Sequence, residues 1–207
     1  MKYIFWDFNG TLLNDVNLCI KLLNENLREE NLKEVSKNEY LNVFGFPVIE
    51  YYKKVGFDFE KTSFETLASR FTSRFTSSFS TLKVTPNAKK VLAYLKNKNY
   101  VLVILSATEE KELIKEVAYL GIDKYFKDIL GIADIYAKSK LDVAKKYVLD
   151  NNINPKDCLL IGDTLHDAEV AINIGFEVIL YTKGHQHKNI LSGYSTIDNL
   201  KELFKIL

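Results

Sequence analysis

Asp7 ends a short apolar run, Tyr3-Ile4-Phe5-Trp6, and is followed by Asn9-Gly10 and then Thr11. A carboxylate at the end of a buried strand is costly unless it finds partners. In open α/β sheets that edge is also where ligands bind. Gly10 is free to take φ > 0 in a tight turn, and Thr11 places a hydroxyl beside a loop of backbone N–H groups. Together these groups make a cradle for a metal-bound phosphate. Ser106 ends the apolar run Tyr100–Leu105, and Asp163 follows Cys158–Ile161 and Gly162, with Asp167 one helical turn further on. Two or three carboxylates with a backbone carbonyl and waters suit Mg²⁺, a hard cation that prefers oxygen. Lys138 and Lys140 precede the helix before the Cys158 strand, and either supplies a point charge for a phosphoryl oxygen.

These groups lie far apart in sequence, so they need elements that bring them together. Five strand-like runs are expected: Tyr3–Trp6, Tyr100–Leu105, Phe126–Gly131, Cys158–Ile161 and Glu177–Tyr181. Helices are expected from Pro86 to about Lys98, Glu109 to Leu120, Ser139 to Asp150, Ala168 to Ile174 and Asp198 to Leu207. Ser106 has the alternative role of capping the Glu109 helix. Continuous apolar strands alternating with helices predict a parallel sheet covered on both faces, with all strand C-termini on one edge. Between the first strand and position 80 the pattern is helical only. One helix carries Leu18, Leu22, Leu23 and Leu27, with Asn14 or Asp15 as its cap. A second starts at Ser36 with Glu39 as capping-box partner, a third follows Pro47, and a fourth carries Phe64, Leu67, Phe71 and Phe75. This block is too long for a crossover and reads as a helical insertion perched over the strand ends, with hinges near 13–16 and 82–86.

The composition of the 207 residues excludes several classes. A net charge of +1 gives no basic stripe for nucleic acid or an anionic membrane. No apolar run approaches the length of a membrane span, and no signal peptide precedes the first strand. Cys19 and Cys158 read as reduced thiols of a cytoplasmic protein, and no Cys/His spacing resembles a zinc site. His185 and His187, in KGHQHKN, read as surface histidines near the active edge. His166, between the two late acids, points outward. Arg70 and Arg74 share a helical face read as solvated. Phe44, Phe46, Tyr51 and Tyr52 read as the core of the insertion or its contact with the sheet.

WDFNGTLLND, the strand-end Ser106, Lys140 and IGDTLHD resemble, in order and spacing, the four motifs of the haloacid dehalogenase-like hydrolases. The helical insertion resembles that of the phosphoglycolate phosphatase-like branch. The resemblance implies a doubly wound, Rossmann-like parallel sheet of five strands, order 3-2-1-4-5, formed by residues 1–14 and 84–207, with residues 15–83 as an all-helical cap. It implies a Mg²⁺-dependent phosphatase for a small phosphorylated metabolite, working as a monomer or homodimer. Asp7 would be the nucleophile that forms an aspartyl-phosphate. Asp7, Asp163, Asp167 and the Asn9 carbonyl would serve the metal, and Thr11, Ser106 and Lys140 would bind the phosphoryl group. Lys140 is preferred to Lys138 because Ser139-Lys140 takes the place of the family's Gly-Lys.

One position departs from the pattern. The family's phosphatases usually carry a second Asp two residues after the nucleophile, to protonate the leaving group and activate water. Asn9 stands there, and an amide cannot shuttle protons. The alternatives are a slow phosphatase, a proton from another residue such as His166, or a long-lived phosphoenzyme. Phosphotransfer, a mutase reaction and idle phosphate binding keep the same fold, as does a phosphonate hydrolase using Lys53 or Lys54.

Overall fold

The computed structural model describes residues 2–132 and 139–207. Strand β1 (Tyr3–Trp6) is the middle of the sheet. Its alternation decides the packing: Ile4 and Trp6 enter the core on one face, and Phe5 enters the core on the other. Both faces are therefore apolar, which is why the strand reads as an unbroken hydrophobic run.

After β1 come four helices: α1 (Val16–Glu29), α2 (Lys37–Val43), α3 (Val48–Lys54) and α4 (Phe64–Ser78). The capping box expected at Ser36 and Glu39 is present. Asp15 sits at the N-cap position of α1 but makes no cap bond, because its carboxylate is engaged elsewhere. The four helices gather around their own buried cluster, including Leu23, Leu27, Tyr40, Tyr52 and Leu67. The chain enters and leaves this unit by two adjacent connections. Leu13 bridges Val84 antiparallel, Asn14 N donates to Lys83 O and Thr85 N donates to Leu12 O.

The rest of the chain alternates: α5 (Ala88–Asn97), β2 (Val101–Glu109), α6 (Glu110–Tyr119), β3 (Asp128–Ile132), α7 (Lys140–Asp150), β4 (Cys158–Gly162), α8 (Leu165–Ile174) and β5 (Glu177–Tyr181). A two-residue strand β6 (Thr196–Ile197) and the short helix α9 (Leu203–Ile206) close the chain. All strands pair parallel, in the order β3-β2-β1-β4-β5-β6. The first five strands take the expected order. The sheet has six strands rather than five because two residues are too few to leave a periodic signal. Helices α5, α6 and α9 cover the Ile4 face, and α7 and α8 cover the Phe5 face.

Other boundaries also differ from expectation: α8 begins at Leu165 rather than Ala168, and β3 is shifted to Asp128–Ile132. Strand β2 does not stop at Ser106 but runs to Glu109, with its register to β3 shifting between Leu105 and Glu109. That irregularity lies where Ser106 meets the site. The terminal segment begins as a 3₁₀ turn at Leu200–Glu202 and turns α-helical only for its last residues. Among the described residues, no helix is long and apolar enough to cross a membrane.

Candidate active site

Asp7 leaves β1 with its N–H donating to Ile161 O, 2.8 Å away, so the neighbouring strand sets where the carboxylate emerges. The turn that follows needs glycine: Gly10 has φ of +76°, and a Cβ there would collide with the Asp163 carboxylate and the His185 ring. Thr11 is buried, and its hydroxyl donates to Asp163 Oδ1 at 2.9 Å. Lys140, 2% exposed at the start of α7, spans the site. Its Nζ lies 2.6 Å from Asp7 Oδ1 and 2.6 Å from Asp167 Oδ1. Asp167 is also the capping-box partner of Thr164, and its Oδ2 accepts from the Thr164 N–H and hydroxyl. Structural capping and site chemistry are therefore divided between the two oxygens of one carboxylate.

Ser106 is buried at the same edge, and its Oγ donates to Thr108 Oγ1 and accepts from Thr108 N, both at 3.1 Å. It does not cap α6; the Glu109 side chain does so, through Glu112 N. Asp7, Asn9, Ser106, Lys140, Asp163 and Asp167 thus converge on the floor of one cavity of ≈ 530 Å³, although 160 positions separate the first from the last. Lys138 lies outside the described residues.

The acids are charged unequally. Burial pushes Asp7 up to about 6, with Asp167 adding repulsion against the pull of Lys140. Burial also raises Asp163 well above the usual carboxylate range. Burial would raise Asp167 too, but Lys140 outweighs it and holds that carboxyl low. Burial would strip Lys140 of its proton, but Asp167 and Asp7 keep it protonated. One lysine therefore faces three acids whose carboxylate oxygens gather within 4.8 Å of one another. An all-oxygen donor set with surplus negative charge fits a hard divalent cation, Mg²⁺ above all.

Beside this floor lies a second buried cluster. His185 is not a surface residue: it is 4% exposed, with Nε2 3.2 Å from Asp15 Oδ1 and Nδ1 2.8 Å from the Tyr40 hydroxyl. Its backbone N–H donates to Asp163 Oδ2 at 2.6 Å. Burial disfavours the imidazolium, but Asp15 overcomes this, with Asp163 and Asp7 adding to it, and raises His185 to about 9. Burial raises Asp15 in turn, and the His185 charge outweighs it and keeps the carboxyl low. Cys19 completes the group, so a compact Asp/Cys/His cluster exists where no local spacing announced one. Asp15 Oδ2 also accepts from Asn9 Nδ2 at 2.9 Å, while Asn9 Oδ1 accepts from Thr108 Oγ1 at 3.1 Å. The Asn9 amide is thus oriented on both sides.

Removing one member of a buried ion pair typically costs about 3–5 kcal/mol. His185→Ala is therefore expected to lose stability of that order in denaturant titration at neutral pH, since Asp15 is left buried without its cation. The folded value of His185 lies above its unfolded value of 6.5, so this contribution is complete below about pH 6.5. The gap between wild type and variant should shrink as pH rises toward about 9.

The loop after β5 also ties the helical unit to the sheet. Gln186 Nε2 donates to Phe44 O, His187 N donates to Leu41 O, and Phe44 stacks on the His185 ring with centroids 4.8 Å apart. Phe46 packs on His166 at 4.7 Å, so His166 lines the cavity rather than pointing outward. Tyr51 and Tyr52 belong to the helical cluster, yet all four aromatic residues border the cavity. Arg70 and Arg74 are not a solvated face. Arg70 pairs with Glu30 at 2.7 Å, and Arg74 pairs with Glu29 and Asn26, joining α4 to α1. Lys53 pairs with Glu50 at 2.8 Å, and neither it nor Lys54 lines the cavity.

A family model described as haloacid dehalogenase-like hydrolase matches residues 4–181. The chain is 26% identical to a phosphoglycolate phosphatase of Haemophilus influenzae over 196 residues, covering 90% of this chain and 88% of that protein. It is 26% identical to the pyrophosphatase PpaX of Oceanobacillus iheyensis, covering 81% and 77%. It is 24% identical to a glyceraldehyde 3-phosphate phosphatase of Pyrococcus abyssi, covering 89% and 82%. Among solved structures, a haloacid dehalogenase-like protein of Agrobacterium tumefaciens superposes with a TM-score of 0.82 at 18% identity, over 100% of this chain and 97% of that one. A haloacid dehalogenase-like family hydrolase of Streptococcus pneumoniae gives 0.75 at 19% identity, over 100% and 99%. At such identities these two show the fold alone.

Proposed function

This chain belongs to the haloacid dehalogenase-like hydrolases, and on that premise we propose that it hydrolyses a small phosphomonoester metabolite through a phosphoryl group carried on Asp7. The observation that carries this reading is the Lys140 bridge between Asp7 and Asp167, with Asp163 and Thr11 beside it. The relatives named above are phosphatases and a pyrophosphatase, which supports phosphoryl hydrolysis as the shared chemistry.

In this reading the Asp7 carboxylate attacks phosphorus in line, and the bond from phosphorus to the leaving oxygen breaks. Lys140 and Ser106 hold the equatorial oxygens, and Thr11, whose hydroxyl donates to Asp163, holds that carboxylate in place. Water then attacks the acyl phosphate and restores Asp7. Asp7, Asp163 and Asp167, with the Asn9 carbonyl, would hold Mg²⁺, which when bound neutralises charge on the phosphoryl oxygens. Residues 15–83 act as a cap that excludes bulk water and shapes the leaving-group pocket. A second reading, a long-lived phosphoenzyme that passes its phosphoryl group to another acceptor, is favoured by one observation. Asn9 is fixed between Asp15 and Thr108, where a proton-carrying group is otherwise expected.

The test is phosphate release from a panel of phosphomonoesters with Mg²⁺ and after EDTA. Turnover with Mg²⁺ that falls to the enzyme-free background in EDTA, and returns on adding Mg²⁺, supports the reading. Absence of release from every ester overturns hydrolysis. A stable phosphoryl adduct on Asp7 by intact-mass and peptide analysis would then favour the second reading.

A further inference from the structure

Given the phosphatase reading, on which this rests, we infer that the preferred leaving group is a flat apolar body bearing an amino group, and not a short carboxylate such as glycolate. The wall of the cavity above the phosphoryl floor is aromatic: Tyr52, Phe64, Phe71 and Phe75 line it. Its volume, ≈ 530 Å³, lies in the range of roughly 300–1,000 Å³ typical of pockets that enclose drug-sized ligands. A phosphate with a two-carbon acid attached would leave most of that wall uncovered.

Glu116, on α6, lines the same cavity, and its Oε2 is buried without a hydrogen-bond partner. Only one other described side-chain atom, the Trp6 indole nitrogen, is in that position. Burial, with repulsion from Glu112, pushes the Glu116 carboxyl up to about 7. With one oxygen closed off and undonated, the half-buried carboxylate that Glu116 turns to the cavity is poorly compensated, and an ammonium group delivered by a ligand would pair with it. The charges on the wall also oppose an anionic leaving group. Glu112 and Glu116 both line the cavity, and the cations among its described residues are already paired, Lys140 with Asp7 and Asp167 and His185 with Asp15.

Calorimetric titration of the full chain with Mg²⁺ and three non-hydrolysable phosphonates tests this. The ligands are benzylphosphonate, para-(aminomethyl)benzylphosphonate and phosphonopropionate, the last matching phosphoglycolate in shape and charge. The aminomethyl compound should bind at least about tenfold tighter than phosphonopropionate, as expected for a charge-assisted contact in an apolar wall. Glu116→Gln should reduce its advantage over plain benzylphosphonate about tenfold, and Phe71→Ala should weaken both benzyl compounds relative to phosphonopropionate. Equal or tighter binding of phosphonopropionate to wild type overturns the inference, as does an aminomethyl advantage unchanged in Glu116→Gln, or no measurable binding of the aminomethyl compound. Phosphate release from para-(aminomethyl)phenyl phosphate separates the two readings. Tight binding of the phosphonate without turnover of the ester sinks the phosphatase reading and leaves the pocket assignment standing.

Discussion

Asp7→Asn is expected to lower phosphate release at least ~10³-fold on every substrate, because the amide is not a nucleophile and the covalent route is lost. The loss should come without unfolding. Asp7 is pushed up to about 6 by burial and by Asp167, so a neutral group at this position relieves repulsion among the acids. Lys140 keeps its contact with Asp167 at 2.6 Å. The thermal midpoint should therefore match or exceed that of wild type while turnover disappears, and no phosphoryl adduct should form on the chain. Phosphate release retained within tenfold would remove Asp7 from the chemistry and with it the proposed mechanism.

Asn9→Asp is expected to have the opposite effect on rate, a gain of roughly 10²–10⁴, the usual contribution of general acid–base help. The structure shows why this position is special. Asn9 Nδ2 lies 2.9 Å from Asp15 Oδ2, so a carboxyl placed there meets a buried carboxylate directly. Two carboxyls at that distance hold one proton between them, and the pair presents an acid to the cavity at neutral pH. The same repulsion costs stability, so the variant should melt below wild type at pH 8 and recover as the pH falls. Steady-state kinetics with a substrate of poor leaving group, where protonation matters most, should show the larger gain. Equal rates on good and poor leaving groups in wild type and variant alike would mean that Asn9 does not limit the reaction.

Much of the fold is legible in local pattern. Tyr3–Trp6 and Glu177–Tyr181 coincide with strands because a central parallel strand must be apolar on both faces, and that leaves an unbroken run. Helix ends follow from chemistry within a few residues, such as the Ser36–Glu39 box and Gly175 in the left-handed conformation after α8. Strand β6 and the extension of β2 past Ser106 were not legible, since each depends on a neighbour already in place rather than on its own residues.

The site divides in the same way. The strand pattern of the sequence put Asp7, Ser106, Asp163 and Asp167 on one edge of a parallel sheet, and the resemblance of its motifs added Asn9, Thr11 and Lys140. Only the tertiary structure decided what surrounds them. Asp15 looks like a helix cap, and becomes the partner of His185 only when a chain segment 170 positions away folds against it. Arg70 and Arg74 look free until α1 supplies Glu29 and Glu30. Glu116 looks like one more charge on an amphipathic helix until the fold places it on a cavity that the aromatic residues of α4 also line. The physical reason is common to all three. Local periodicity reports which face of an element is apolar, whereas the charge state and partners of a polar group depend on what desolvates it, and that comes from distant parts of the chain.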